Sequence, residues 1–213
     1  ALSRLNTTWR LDCGIVNHTG AFAAVNLAGP KSREVLKTLT SLDLSAAAFP
    51  YLAVREGEVT VGGGKIPARL MRVGFVGEWG YEIHVPASMG GALWDALMQA
   101  GKAHGIRPFG VEAQRLLRLE KGHIIISQDT DGLTTPLEVG MDWAVKMAKP
   151  FFVGQRSLAA IARKPRKQQL AGIVFPVGYS GAVPLECNLV IEGGDIAGRV
   201  TSIAFSPSLD RHI

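Results

Sequence analysis

Cysteine is scarce in this chain of 213 residues. Its two cysteines, Cys13 and Cys187, lie far apart, and neither has a histidine or second cysteine at the spacing of a metal ligand. The sequence also lacks an apolar run of the roughly 20 residues that cross a bilayer, and it shows no basic-then-apolar leader at Ala1. These absences argue against a metal site and a disulfide framework, and they predict an untargeted, cytoplasmic protein without a membrane segment.

Motifs of several common enzyme classes are missing as well. There is no G-x-S-x-G nucleophile elbow, no H-E-x-x-H zinc motif and no dinucleotide-binding fingerprint. Three glycines precede Lys65, but their spacing differs from that of a phosphate-binding loop and no helix follows. Asp129 and Asp131 lack the further oxygen ligands of a calcium loop, so turn formation and helix capping explain them more simply. The sequence therefore contains no motif that would indicate a hydrolase, a protease or an NAD-dependent enzyme.

The net charge is +5, and the isoelectric point is near 9.4. Most lysines and arginines are dispersed, and the densest cluster, residues 163–167 (RKPRK), contains a proline that indicates a loop. A basic connector between domains explains this cluster more simply than a groove for phosphates. We therefore expect no nucleic-acid partner. The net positive charge would nevertheless attract a small molecule with several carboxylates.

Hydrophobic periodicity predicts an α+β fold, with mixed sheets and flanking helices. A strand over residues 21–28 leads through Gly29 and Pro30 into a helix. Alternating runs on both sides of the glycines at 62–64 predict a β-hairpin. Further helices are predicted over residues 88–102 and 111–121 and from about 151, and further strands over 123–126 and 143–146.

Beyond residue 168 the pattern changes to short β runs divided by glycine and proline. Such a pattern is typical of a small all-β unit. We therefore divide the chain into an α+β region, residues 1–162, and the beginning of a β-barrel-like C-terminal domain, residues 163–213.

Residues 72–86 are the best lead to function. They predict two half-buried strands around a glycine turn, with Val73 and Phe75 in the first strand. In the second strand Glu82 and His84 alternate with three apolar residues: Tyr81, Ile83 and Val85. The period of two therefore sends Glu82 and His84 to the opposite side from the apolar residues. That polar side either faces solvent, which is the simpler explanation, or carries a binding site; the strand pattern alone does not decide.

Six segments in order along nearly the whole chain carry a family resemblance. They are residues 26–36 (NLAGPKSREVL), 77–82 (GEWGYE), 117–122 (LRLEKG), 135–138 (TPLE), 152–154 (FVG) and 198–202 (GRVTS). Together they resemble the tetrahydrofolate-binding aminomethyltransferase family, which includes the glycine-cleavage T-protein. Within this family, residues 128–132 (QDTDG) resemble more closely the folate-binding C-terminal part of the sarcosine oxidase alpha subunit.

The resemblance implies the aminomethyltransferase folate-binding fold and tetrahydrofolate as the cofactor. It also implies transfer of a one-carbon unit to tetrahydrofolate, which gives 5,10-methylenetetrahydrofolate. In the sarcosine oxidase branch it implies a partner, a beta subunit, whose flavin oxidises an N-methyl amino acid to the imine that donates the carbon.

The resemblance further implies four folate-binding residues. The glutamate that matches Glu82 pairs with the pterin ring in the family, and a carboxylate can accept two parallel hydrogen bonds from an amino-pyrimidinone edge. Phe75 stands where several relatives have tyrosine, so it keeps an aromatic wall without the hydroxyl group. Trp143 matches an aromatic position near the ligand, with core packing as the alternative. Gln114 stands where T-proteins tend to carry arginine, so the contact made by that arginine is in doubt here.

The catalytic residue is not among these four. In the family, the aspartate that orients the folate nitrogens lies in a segment ahead of the position that matches Ala1. Asp12 is too close to the start of the matched region to take that role, and the catalytic residue stays unknown. The resemblance therefore implies a piece of a longer protein, incomplete at both ends, and we expect this piece alone to bind folate weakly and to be inactive.

Two other functions remain as alternatives. Non-catalytic folate-binding accessory proteins of iron–sulfur assembly resemble this family and carry a K-G-C-Y-x-G-Q-E signature with a reactive cysteine. The corresponding residues here are 121–128, in which His123 replaces that cysteine. A basic RNA-binding module would show a steep dependence of binding on salt, and the dispersed charge predicts none.

Overall fold

The structure is a computed structural model that describes residues 2–213. It divides into two units. The first runs up to Gly74 and resumes over Glu78–Pro108, and the second contains Phe75–Gly77 and Phe109–Ile213. Both helices and strands contribute to the fold, which confirms the predicted α+β class. Among residues 2–213 no helix is long and apolar enough to cross a membrane.

A four-stranded antiparallel sheet in the order β1-β4-β3-β2 forms the centre of the first unit. The elements of this unit are α1 (Leu2–Trp9), β1 (Phe22–Ala28), α2 (Ser32–Leu36), β2 (Val54–Val61), β3 (Gly64–Met71), β4 (Gly80–Pro86) and α3 (Gly90–Gly101). The predicted hairpin is confirmed as β2–β3. Its turn depends on Gly62 and Gly63, whose φ angles of +56° and +80° are rarely adopted by other residues.

Helices α2 and α3 pack on one face of this sheet. Leu36 of α2 and Leu93 of α3 are fully buried in the same core as Leu70 of β3 and Ile83 of β4. Burial of one such side chain stabilises a fold by roughly 1.5–3 kcal/mol. The alternation in β4 therefore directs Ile83 into the core and leaves Glu82 and His84 on the other face.

The segment between β3 and β4 differs from the prediction. Met71 is the last residue of β3 and lies opposite Glu82 of β4, so Val73 and Phe75 lie in a loop rather than in a strand. Gly74 approaches the backbone of Glu78 closely, and a Cβ atom there would lie 2.7 Å from the Glu78 carbonyl oxygen. The close approach of Gly74 to Glu78 shows that the chain turns sharply between β3 and β4.

Trp79, at the end of this loop, contacts two guanidinium groups. The central carbon of Arg72 lies 3.5 Å from the ring centre and that of Arg33 lies 4.1 Å from it. Burial lowers the pKa of Arg72, which is only 6% exposed. The indole Nε1 donates a hydrogen bond of 3.0 Å to the hydroxyl of Tyr81. Trp79 thus provides an aromatic surface that stabilises two cations.

The second unit contains two α-helices and short strands. They are α4 (Val111–Lys121), α5 (Gln155–Ile161), β5 (Leu189–Glu192), β6 (Asp195–Arg199), β7 (Phe205–Ser206) and β8 (Arg211–His212). The strands form two separate antiparallel pairs, β5–β6 and β7–β8. Helix α4 has the predicted bounds and ends at Gly122, whose φ of +79° closes the helix.

The strands predicted over residues 123–126 and 143–146 are wrong. Residues 123–126 form a loop in which the backbone N–H of Ile125 donates to the Asp129 carboxylate, 2.8 Å away, rather than to a neighbouring strand. The second segment begins in a short 3-10 helix, Asp142–Ala144. The domain boundary at residue 162 and the β-barrel-like C-terminal domain stay predictions.

Candidate functional site

Glu82 lies on the face of the sheet that α2 and α3 leave uncovered. Residues directly opposite each other on antiparallel strands point to the same face. Asn26 of β1 and Met71 of β3 both lie opposite Glu82, and Arg69 of β3 lies opposite His84. We refer to Asn26, Met71, Glu82 and His84 as the Glu82 cluster.

The carboxylate of Glu82 is partly sheltered, with 32% of its side chain exposed, and the side chain of His84 is 25% exposed. Oε1 of Glu82 lies 3.1 Å from Nε2 of His84. These two atoms are close enough for a hydrogen bond, yet they are not aligned for one, and the buried Nε2 atom has no other partner among residues 2–213. Glu82 therefore retains its capacity to accept hydrogen bonds from a ligand.

Arg69 of β3, which lies opposite His84, forms its ion pair with Glu56. Arg69 donates from Nε and Nη2 to Oε1 of Glu56 on β2, at 3.1 and 2.7 Å. Arg69 is thus paired with Glu56 rather than with Glu82. Asn26, on the other side of Glu82, is exposed. A carboxylate and an amide are thus neighbours on an accessible sheet face.

Phe75 lies in the second unit and is 37% exposed. Its ring stacks on the imidazole of His123, with ring centres 5.9 Å apart and planes inclined by 27°. Nδ1 of His123 lies 2.7 Å from the carbonyl oxygen of Phe75, and because that oxygen can only accept, Nδ1 must carry the hydrogen. The sequence analysis did not assign His123 to the site. Phe75 and His123 are far apart in sequence, and no sequence pattern predicts their contact.

The remaining predicted residues, Gln114 and Trp143, also belong to the second unit. Gln114 is half-buried on α4, and Trp143 lies in the short 3-10 helix with 61% of its surface exposed. Trp143 is therefore not part of a packed core. Glu82 belongs to the first unit and Phe75 to the second, and the assignment of all four residues to one folate site stays a prediction.

A buried polar network in the second unit was not predicted as such. The sequence analysis explained Asp129 by turn formation or helix capping, but only 3% of the side chain is exposed in both Arg118 and Asp129. Nη1 of Arg118 lies 2.5 Å from Oδ2 of Asp129, and its Nη2 donates to Oγ of Ser202 at 2.6 Å. Ser202 in turn donates to Oδ1 of Asp129 at 2.6 Å. The motif segments LRLEKG, QDTDG and GRVTS contain all three residues and were the available signal.

The environment of Asp129 shifts its pKa. Burial raises the pKa of this carboxyl, but hydrogen bonds from the backbone N–H of Ile125 and from Ser202, together with the charge of Arg118, outweigh it. The net effect holds the pKa of Asp129 below its ordinary value of 3.8. Asp129 is therefore a charged structural partner of Arg118 at neutral pH.

The described residues offer no metal centre, and the cavity beside Arg118 does not include the predicted folate-binding residues. Within residues 2–213 no group of three or more histidine, cysteine, aspartate or glutamate side chains could hold a metal ion. A cavity of about 120 Å³ beside Arg118 and Ser202 contains none of the four predicted residues in its lining. Pockets for small molecules usually measure at least about 300 Å³, so this cavity is too small for a pteridine.

Comparison with known proteins identifies the family. Residues 1–149 match the family described as the GCVT N-terminal domain. The chain belongs to this family, which confirms the resemblance of its motifs. The glycine cleavage system aminomethyltransferase T from Bartonella henselae has a similar fold, with a TM-score of 0.54 over 91% of this chain and 74% of that chain, at 19% sequence identity.

The chain matches only part of the length of two relatives. The sarcosine oxidase subunit alpha of Rhizobium meliloti (strain 1021) is 37% identical over 204 residues, which cover 93% of this chain and 20% of the relative. The aminomethyltransferase of Halothermothrix orenii is 33% identical over 199 residues, which cover 93% of this chain and 53% of the relative. The chain thus spans about a fifth of the first relative and about half of the second.

Proposed function

We propose that the protein binds tetrahydrofolate and takes part in aminomethyl transfer that yields 5,10-methylenetetrahydrofolate. The observation that carries the proposal is the carboxylate of Glu82, which is half-buried on an accessible sheet face and has free acceptor capacity. Membership of the GCVT N-terminal domain family and the names of the relatives, aminomethyltransferase and sarcosine oxidase subunit alpha, support the same reaction class.

The chemistry of the Glu82 cluster fits the edge of a pterin. Glu82 can accept hydrogen bonds from the ring N–H and the exocyclic amino group, which are parallel donors. The next group along that edge is a carbonyl oxygen, and the amide of Asn26, opposite Glu82, is a donor for it. Phe75 and Trp143 would contribute aromatic surfaces and Gln114 a polar contact. When bound, tetrahydrofolate supplies the N5 and N10 atoms that take up the one-carbon unit.

The contribution of Glu82 is to orient the ligand. A reactant held in one orientation reacts as part of a unimolecular step, and this effect supplies much of the acceleration in transfer reactions. The pairing of Arg69 with Glu56 supports this role because it leaves the charge of Glu82 available to the ligand. In this proposal the donor of the one-carbon unit is an imine, which a flavin-containing partner subunit forms as in a sarcosine oxidase. The reaction takes place in the cytoplasm.

The test is a titration of the full-length native protein and its Glu82→Gln variant with tetrahydrofolate. Loss of a charge-assisted hydrogen bond removes roughly 1.5–3 kcal/mol, so we expect affinity to fall about 10- to 150-fold. The matched control is Glu58→Gln, on the same sheet face but two strands away on β2. An affinity of Glu82→Gln within about twofold of the wild type would refute the role of Glu82.

The same titration separates the reaction from simple folate binding. Formation of 5,10-methylenetetrahydrofolate is measured with the full-length wild-type protein, an N-methyl amino acid donor and the flavin-containing partner subunit that oxidises this donor to the imine. Tetrahydrofolate binding that depends on Glu82, with no transfer by the wild type, would instead indicate a non-catalytic folate-binding protein.

A further inference from the structure

His84 has a buried ring nitrogen whose hydrogen-bonding capacity is not used. Its Nε2 atom is shielded from solvent and has no aligned partner among the residues that the structure describes. An unpaired buried polar group is unfavourable, and such groups in native structures usually have a partner in the functional state. The only acidic atom recorded next to this nitrogen is Oε1 of Glu82, at 3.1 Å.

The short distance identifies which nitrogen carries the hydrogen. A carboxylate oxygen can only accept, and a ring nitrogen without hydrogen would present a lone pair to it. The approach of Nε2 to Oε1 is therefore favourable when Nε2 is protonated, and His84 is a donor toward Glu82. What is missing is alignment, because the two atoms are within hydrogen-bonding distance but do not form an aligned hydrogen bond.

Neighbouring charges leave His84 free for this role. Arg69, directly opposite on β3, is paired with Glu56, and on the other side Ala24 of β1 is apolar. Glu82 is thus the acidic group next to the imidazole on this face. Hydrogen bonds of binding sites are often poorly aligned without ligand and improve in the complex.

We propose that His84 is a positioning residue for Glu82: its Nε2–H fixes the carboxylate in the orientation that accepts the two parallel donors of a pterin. The inference rests on the proposed function, because it assigns a supporting group to the same site. A carboxylate oxygen has two lone pairs, so Oε1 accepts from His84 and from the ligand together. His84 thereby favours ligands with two adjacent N–H donors without touching them.

The test is a double-mutant cycle in the full-length native protein. Tetrahydrofolate affinity is measured for wild type, His84→Leu, Glu82→Gln and the double variant. Because His84 acts only through the orientation of Glu82, we expect a three- to tenfold loss of affinity for His84→Leu, an estimate on the order of net hydrogen-bond energies. In the Glu82→Gln background, we expect the same substitution to change affinity by less than about twofold.

Two further variants exclude a structural explanation. His84→Gln keeps an N–H donor at a similar reach and is expected to restore most of the affinity, whereas His104→Leu, an exposed histidine of the same unit, is the matched control and should change nothing. Thermal unfolding of each variant reports on folding. Equal losses of affinity in both Glu82 backgrounds, or no rescue by glutamine, would overturn the inference.

The cycle also distinguishes this inference from the proposed function. If Glu82→Gln weakens binding while His84→Leu does not, the folate site stands and the role of His84 is wrong. If Glu82→Gln itself leaves binding unchanged, the proposed folate anchor is wrong.

Discussion

Arg118 and Asp129 form an ion pair with Nη1 and Oδ2 2.5 Å apart, and only 3% of each side chain is exposed. This pair connects α4 with the loop that follows it, and Ser202 links both partners. Two charges that are both removed from water depend on each other, because either one alone would be buried without compensation.

Replacement of Asp129 by asparagine is expected to lower the free energy of unfolding by about 3–5 kcal/mol at neutral pH, since Arg118 would lose its buried counter-charge. Urea denaturation measures this change. The exposed Asp142→Asn variant is the matched control and should unfold like the wild type. Similar losses in both variants would show that the Arg118 pair contributes nothing specific.

The same pair predicts how stability depends on acid. The pKa of Asp129 in the folded protein lies below its ordinary value of 3.8, so its stabilising effect is complete above that value. The effect is lost as pH falls through the lower folded pKa, because the carboxyl then takes up a proton. Denaturation curves below pH 3.8 should therefore decline more steeply for the wild type than for Asp129→Asn.

Trp79 is expected to stabilise the first unit through its ring more than through its N–H group. Trp79→Ala removes the surface on which Arg33 and Arg72 stack, and large-to-small substitutions of this kind cost about 3–5 kcal/mol. Trp79→Phe keeps a ring but loses the hydrogen bond to Tyr81, which costs about 1 kcal/mol. Trp94→Ala, at a more exposed tryptophan on α3, is the control for urea denaturation.

Asn26 is expected to contribute to recognition of the pterin carbonyl. Asn26→Asp preserves the size of the side chain but places a second negative charge opposite Glu82 and removes the N–H donor. Tetrahydrofolate affinity should fall about tenfold or more, measured by isothermal titration. 4-Aminobenzoylglutamate lacks the pteridine, so its binding should not change.

The exposed Asn17→Asp variant controls for the added charge. A comparable loss of affinity in this variant, or a loss of 4-aminobenzoylglutamate binding in Asn26→Asp, would contradict direct recognition of the pteridine by Asn26.

The elements that could be predicted from the sequence are those whose signals are local. The glycines at 62–64 mark the β2–β3 turn, and Gly122 marks the end of α4, because the positive φ angles of Gly62, Gly63 and Gly122 favour glycine. The alternation around Glu82 was predicted for the same reason: a period of two needs no knowledge of the partner strands. The side of the sheet that Glu82 occupies therefore followed from the sequence.

The errors occurred where a short apolar run needed a partner to become a strand. The backbone of Ile125 is satisfied by the Asp129 side chain four residues later, and Val145 donates to the backbone of Asp142. Such local bonds compete with strand pairing, and periodicity cannot distinguish the two outcomes. Likewise, the contact between Arg118 and Ser202 joins residues far apart in sequence, and only the tertiary structure reveals it.

The alternation of β4 makes the Glu82 cluster sensitive to the length of the strand. A single residue inserted or deleted within Gly80–Pro86, upstream of Glu82, would turn the glutamate and the histidine toward the helices and bring Ile83 to the surface. Length changes in the preceding loop do not alter which side chains of β4 point toward the helices. Related sequences should therefore preserve the count of residues in the strand.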